Sequence, residues 1–240
     1  DFNDGRTSLR EAIFAANTVP GADTIEFDPA LFAEGPGTIL LTQGELKITD
    51  SLTINGPGAE WLTIDASGSD PTPDSNPFDE NIFDDLDGSR IFVVDDGEQN
   101  SFIEVSLQGM TLTGGESGVF DQGGAILNRE NLTLIEMLVT GNSADEGGGL
   151  ASRNGTVQII DSTFSGNFSF HGGAVAVGSG ELSIQNSIFE NNAAVFRGGA
   201  LYVAATKVRI EHTLFTENRV LSGFNFDGGG AIDARAGSGS

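Results

Sequence analysis

The chain reads as an all-β solenoid: a parallel β-helix of about eight coils, closed at its N-terminal end by a short helix. Three observations predict it. The first is a repeat. Two glycines followed by small or aliphatic residues recur as Gly123-Gly124-Ala125-Ile126, Gly148-Gly149-Leu150, Gly172-Gly173-Ala174-Val175, Gly198-Gly199-Ala200-Leu201 and Gly229-Gly230-Ala231-Ile232. Their second glycines lie 25, 24, 26 and 31 residues apart. A second marker pairs Val139 with Asn142, Phe164 with Asn167, Phe189 with Asn192 and Phe215 with Asn218, and its asparagines step by 25, 25 and 26. Two markers holding one period make a repeat array. The second observation is the alternation between the markers, at 132–135, 157–160, 181–184 and 207–210, which is the period of half-buried strands; no stretch there offers ten residues of helical period. The third is proline. All seven prolines precede residue 78, and a strand stacked between neighbours cannot give up its N–H.

A fixed repeat places each residue type above its own copy. Asn142, Asn167, Asn192 and Asn218 then form an inward ladder of amides, and Phe164, Phe189 and Phe215 stack three residues earlier, with Val139 extending the column. The glycine pairs permit positive φ and close backbone approach at a corner.

In chain order, Ser8-Leu9-Arg10-Glu11 is a capping box, and Leu9, Ala12, Ile13 and Ala16 form one apolar face of a helix that Pro20 stops, within residues 1–21. Such a helix covers the open end of the first coil. Strands are expected at 24–27, 38–42, 45–49, 51–55 and 61–65, with Trp61 as packing. The stretch 67–89 breaks the pattern with Pro71, Pro73, Pro77 and seven carboxylates, and is read as an acidic loop inserted between coils. Within it Asp84, Asp85 and Asp87 resemble part of a calcium loop, without the full twelve-residue spacing. Strands resume at 90–94 and 102–107. Residues 112–115 occupy the position of the Phe-to-Asn turn but lack the asparagine. Residues 221–227 read as a protruding loop. His212 reads as an outer-face residue.

The 240 residues form one elongated domain. With 35 acidic against 11 basic residues and a net charge of -24, nucleic acid and anionic lipid are excluded as partners by repulsion. There is no cysteine, and no apolar stretch is long enough to span a membrane as a helix. The chain opens mid-motif and stops just after a glycine pair, so it is expected to be a fragment of a longer protein, monomeric when isolated.

The residues before the glycine pairs are the candidate site. Asp121, Glu146, Phe170, Phe196 and Asp227 stand two before; Gln122, Gly147, His171, Arg197 and Gly228 stand one before. Asp121, Glu146, His171 and Arg197 are thus expected as a stripe along one corner. Parallel β-helix lyases and epimerases use such stripes, with carboxylates holding calcium against an acidic sugar and a basic side chain taking the proton. Inverting hydrolases need two carboxyl groups about 6.5–9.5 Å apart, which Asp121 and Glu146 on adjacent coils would approach. Against catalysis, Lys47 and Lys207 are the only lysines, and so acidic a surface repels an anionic polysaccharide.

The glycine-pair and Phe-x-x-Asn markers resemble the repeats of chlamydial-type polymorphic outer-membrane proteins. Thr7-Ser8-Leu9-Arg10-Glu11-Ala12-Ile13, with Ala16-Asn17, resembles the CSLREA motif that opens many secreted bacterial β-helix proteins. Thr7 stands where that motif has cysteine, which removes any thiol role and leaves the capping role. The resemblance covers most of the chain outside 67–89. It implies a right-handed parallel β-helix, of pectin-lyase-like fold, on an exported or cell-surface bacterial protein, and no single activity. The leading expectation is a non-catalytic structural or adhesive module with carbohydrate or another surface protein as partner. The alternatives are a polysaccharide lyase, epimerase or glycoside hydrolase, and a calcium-dependent carbohydrate-binding solenoid.

Overall fold

The computed structural model describes residues 5–71, 88–99, 101–118, 121–205, 207–221 and 230–235. Asp84, Asp85 and Asp87 and most of the acidic insertion lie outside these residues, as does nearly all of the loop expected at 221–227.

The chain begins with the helix α1, Leu9–Thr18. Ser8 and Glu11 close the capping box in both directions, and Leu9, Ile13 and Ala16 are its buried face. The helix lies on the first coil and is tied to it through backbone groups. Arg10 donates to the carbonyls of Gly44 and Glu45 at 2.5 and 2.7 Å. The Asn17 amide donates to the Lys47 carbonyl and accepts from the Thr49 N–H. These are the groups that another strand would take, so α1 closes that sheet edge.

Every strand pairing is parallel, and the described strands fall into four sheets of seven, seven, four and seven. The first sheet runs from Asp23–Glu26 through Leu52–Asn55, Glu104–Gln108, Asn131–Ile135, Thr156–Ile160 and Glu181–Gln185 to Lys207–Glu211. The second runs from Gly37–Leu40 through Leu62–Asp65, Thr111–Thr113, Leu138–Thr140, Thr163–Ser165 and Ile188–Glu190 to Leu214–Thr216. The third is shorter, with Ser143–Glu146, Phe168–His171, Ala193–Arg197 and Arg219–Val220. The fourth runs from Leu46–Ile48 through Phe92–Val94, Ile126–Asn128, Leu150–Ser152, Val175–Val177 and Leu201–Val203 to Ile232–Ala234. The described strands make a parallel β-helix of about seven coils, where about eight are expected from the sequence. The second coil carries the acidic insertion, between Leu62–Asp65 and Phe92–Val94. Trp61, expected as packing, sits ahead of its strand and is 39% exposed.

Side chains stack as the period requires. The rings of Phe164 and Phe189 lie 5.1 Å apart, and those of Phe189 and Phe215 5.0 Å apart, with their planes nearly parallel. Val139 pairs in register with Phe164 and is fully buried. Asn142, Asn167, Asn192 and Asn218 form the expected ladder, each Nδ2 donating to the next Oδ1 at 2.9–3.0 Å. Where the asparagine is missing, the Gly115 N–H takes the Oδ1 of Asn142 instead, at 2.9 Å.

A second ladder runs along the corner between the first two sheets. There Glu136, Asp161, Asn186 and His212 each adopt φ of +47° to +52°. The hydroxyls that follow support this unusual backbone: Ser162 accepts from the Met137 N–H, Ser187 from the Ser162 N–H, and both donate to the carbonyl two residues back. His212 is therefore a corner residue, exposed to solvent, rather than a strand residue.

Candidate functional site

The corner between the third and fourth sheets is built on glycine. Gly123, Gly147, Gly172 and Gly198 occupy it with φ between +59° and +70°. A Cβ on any of them would run into the backbone of the strand that follows, so glycine is required there. The three glycines at 147–149 admit two registers in the sequence. The structure takes the one in which Gly147-Gly148 matches Gly123-Gly124, one residue earlier than the sequence marker suggests.

That shift re-sorts the candidates. Gln122 pairs with Glu146, Glu146 with His171, and His171 with Arg197. Asp121 lies one position out of the column, its carbonyl accepting from the Asp145 N–H at 3.2 Å. The extra residue in the sixth coil is absorbed by a β-bulge: Ser169 pairs with Ala194 but His171 with Arg197. Bulges re-aim the side chains beside them. Here Phe196 stacks on Phe170 at 5.6 Å and also contacts the His171 ring.

Each of the two carboxylates has a cationic partner from elsewhere in the chain. The side chain of Arg90, 10% exposed, pairs with Asp121 and lies 3.6 Å from Glu45. Arg153 pairs with Glu146 at 2.7 Å, and its Nε donates to the Gln122 side chain at 2.7 Å. Arg153 thereby knits two successive coils together. His171 is half-buried between Phe196 and Tyr202, with ring centres 5.6 and 5.5 Å away. Burial lowers its proton affinity below the ordinary histidine value, with the Arg197 charge adding to that and Glu146 opposing it. The column thus presents an imidazole biased toward its neutral form beside a guanidinium, next to a carboxylate already in an ion pair. Two cavities, of about 890 and 530 Å³, flank α1 at the N-terminal end of the solenoid.

A separate cluster of three carboxylates was not legible in the sequence. Asp95, Asp96 and Glu130 offer oxygens that all lie within 4.8 Å of one another, the one such group among the described residues. Glu130 is fully buried and accepts from the Asp96 and Ile103 N–H groups. Burial raises its pKa, and the nearby Asp96 charge adds to the rise. Asp95 pairs with Arg129 at 2.7 Å and accepts from the Gly97 N–H, and Asp96 accepts from the Glu98 N–H. An oxygen-only set of this kind suits a hard cation such as calcium, although much of its acceptor capacity already holds the loop at 95–98.

No protein-family model matches the chain, and neither the curated proteins nor the solved structures contain a match to it.

Proposed function

We propose that this chain is a non-catalytic structural module: a stiff β-helical segment of a secreted or cell-surface bacterial protein that holds neighbouring parts or partners at a fixed separation. Seven coils at the strand spacing of about 4.8 Å make a rod roughly 30 Å long. The observation that carries this reading is the pairing of the candidate stripe. Asp121 and Glu146 are engaged by Arg90 and Arg153, so the charges at this corner bind coil to coil. The acidity of the whole and the resemblance of the repeats to those of exported bacterial β-helix proteins support an exported location, and that resemblance supports a right-handed coil.

A second reading is favoured by one observation. His171 is biased toward its neutral form and stands in register with Arg197, which is an arrangement able to accept a proton from an acidic sugar. Incubation with pectate, alginate and neutral glycans in the presence of calcium separates the two readings, with absorbance of a new double bond and reducing ends as readouts. The structural module turns over none of them. Turnover lost in Arg197→Ala and His171→Ala would make this corner an active site.

A further inference from the structure

We propose that Asn154-Gly155 is a self-modification site, where the asparagine of the folded chain converts to aspartate and isoaspartate through a cyclic imide. The sequence holds two Asn-Gly pairs, Asn55-Gly56 and Asn154-Gly155. Both stand where a strand gives way to a turn, a place this dipeptide favours, yet the structure treats them differently. Asn55 ends the strand Leu52–Asn55, in register with Glu26 and Gln108. The Gly56 N–H donates to the Gln108 carbonyl at 2.8 Å, so that nitrogen is held by the neighbouring coil. Asn154 is exposed, in the short turn between Leu150–Ser152 and Thr156–Ile160. No described group accepts from the Gly155 N–H. Among the described residues, the Asn154 side chain has one hydrogen bond, from the Ser179 hydroxyl to its Oδ1 at 3.3 Å.

The Gly155 nitrogen is the nucleophile and the Asn154 amide carbon the electrophile. The nitrogen gives its proton to water and bonds to Cγ. The bond from Cγ to Nδ2 then breaks, and Nδ2 takes a proton from water and leaves as ammonia. Water opens the resulting imide at either of its carbonyls. Cleavage at Cγ gives aspartate on the original backbone. Cleavage at the backbone carbonyl gives isoaspartate, whose chain runs on through the side-chain carbon. The Ser179 hydroxyl donates to the oxygen on which charge develops during the attack. The fold also keeps the reactive pair as it is. Gly155 has φ of +68°, and a Cβ there would run into the Glu130 carbonyl. No bulkier residue can therefore follow Asn154 and shield the nitrogen.

The turn is also where neighbouring coils are tied. The Ser152 hydroxyl donates to the Asn154 carbonyl at 3.1 Å. The Gly155 carbonyl accepts from the Glu181 N–H at 3.0 Å, and the Thr156 N–H donates to the Asn131 side chain at 2.8 Å. Aspartate leaves this backbone unchanged. Isoaspartate lengthens it by a methylene group and displaces these partners on both sides. The reaction thus loosens one coil of the solenoid with age, at a place the fold itself selects.

Ageing the chain at mildly alkaline pH, with peptide mass mapping of both Asn-Gly pairs, tests the proposal. A sample aged in denaturant gives each pair its own reference rate. In the folded chain Asn154 is expected to keep most of its reference rate. Asn55 is expected to react about tenfold or more below its own, because its N–H is released only by local unfolding. Both aspartate and isoaspartate accumulate at position 154, and the isoaspartate form melts at a lower temperature than the fresh chain. Asn154→Asp, with its normal backbone, melts with the fresh chain. Asn154→Gln loses the fast product, because the longer side chain closes the ring poorly. Equal protection of the two pairs, aspartate without isoaspartate at position 154, or an isoaspartate form as stable as Asn154→Asp would each overturn the proposal.

Discussion

Asn192 makes four hydrogen bonds through one amide. Its Nδ2 donates to Asn218 Oδ1 and to the Phe164 carbonyl, and its Oδ1 accepts from both the backbone and the side chain of Asn167. In Asn192→Ala these partners are left buried and unpaired, at about 1–3 kcal/mol for each unsatisfied group. A loss of about 3 kcal/mol or more is expected from denaturant melts, against little change for the exposed Asn154→Ala. Equal losses would refute the ladder as a stabilising device. His171 provides a second case. Its folded-state pKa lies below 6.5 because burial disfavours the charged ring. The unfolded chain therefore binds the proton first as pH falls. The stability associated with a neutral His171 is fully present above 6.5 and is lost as pH drops from there through the folded value. His171→Phe keeps an aromatic ring between Phe196 and Tyr202 and removes this component. Its stability should fall less than the wild type's on acidification below pH 6.5, and parallel profiles would rule His171 out as the source.

At the scale of the element, the helix matters for the backbone groups it occupies as much as for its apolar face. Asn17 presents a carboxamide where a strand would present a peptide, bonding Lys47 and Thr49 in the manner of a ladder neighbour. Asn17→Ala should lower stability by about 1–3 kcal/mol and, by freeing the edge of Leu46–Ile48, increase self-association on heating. Light scattering during a melt checks this, and an unchanged aggregation temperature would assign the edge protection to Arg10 alone. The corners show the complementary device. Glu136, Asp161, Asn186 and His212 hold left-handed backbone without glycine because the Ser162 and Ser187 hydroxyls, among others, bond the adjoining peptides. The signal was present in the sequence as the residue two before each stacking phenylalanine, Ser162, Ser187 and Thr213, overshadowed by the more regular asparagines.

For the whole molecule, net charge and topology oppose each other. Each coil contacts mainly its neighbours, so stability is close to a sum of coil and interface terms. A charge of -24 adds a repulsion spread along the rod. Salt screens it, the Debye length falling from about 30 Å at 0.01 M to about 8 Å at 0.15 M. The melting temperature should therefore rise with sodium chloride over that range. A fall instead would mean that ion pairs such as Arg153–Glu146 and Arg129–Asp95 outweigh the repulsion.

The sequence by itself determined the period, the parallel stacking, the Asn and Phe ladders and the capping helix, because each is written as a residue type recurring at one spacing or as a local hydrogen-bonding pattern. The tertiary structure alone decided the register at 147–149. Three consecutive glycines satisfy the corner in either of two positions, and a one-residue slip moves every side chain to the opposite face. That choice placed Gln122 rather than Asp121 in the column with Glu146, His171 and Arg197. The partners of the stripe were likewise hidden. Arg90 reaches Asp121 across 31 residues, and Asp96 meets Glu130 across 34. No motif marks such pairs, since they are neighbours only because one coil comes to rest on the next.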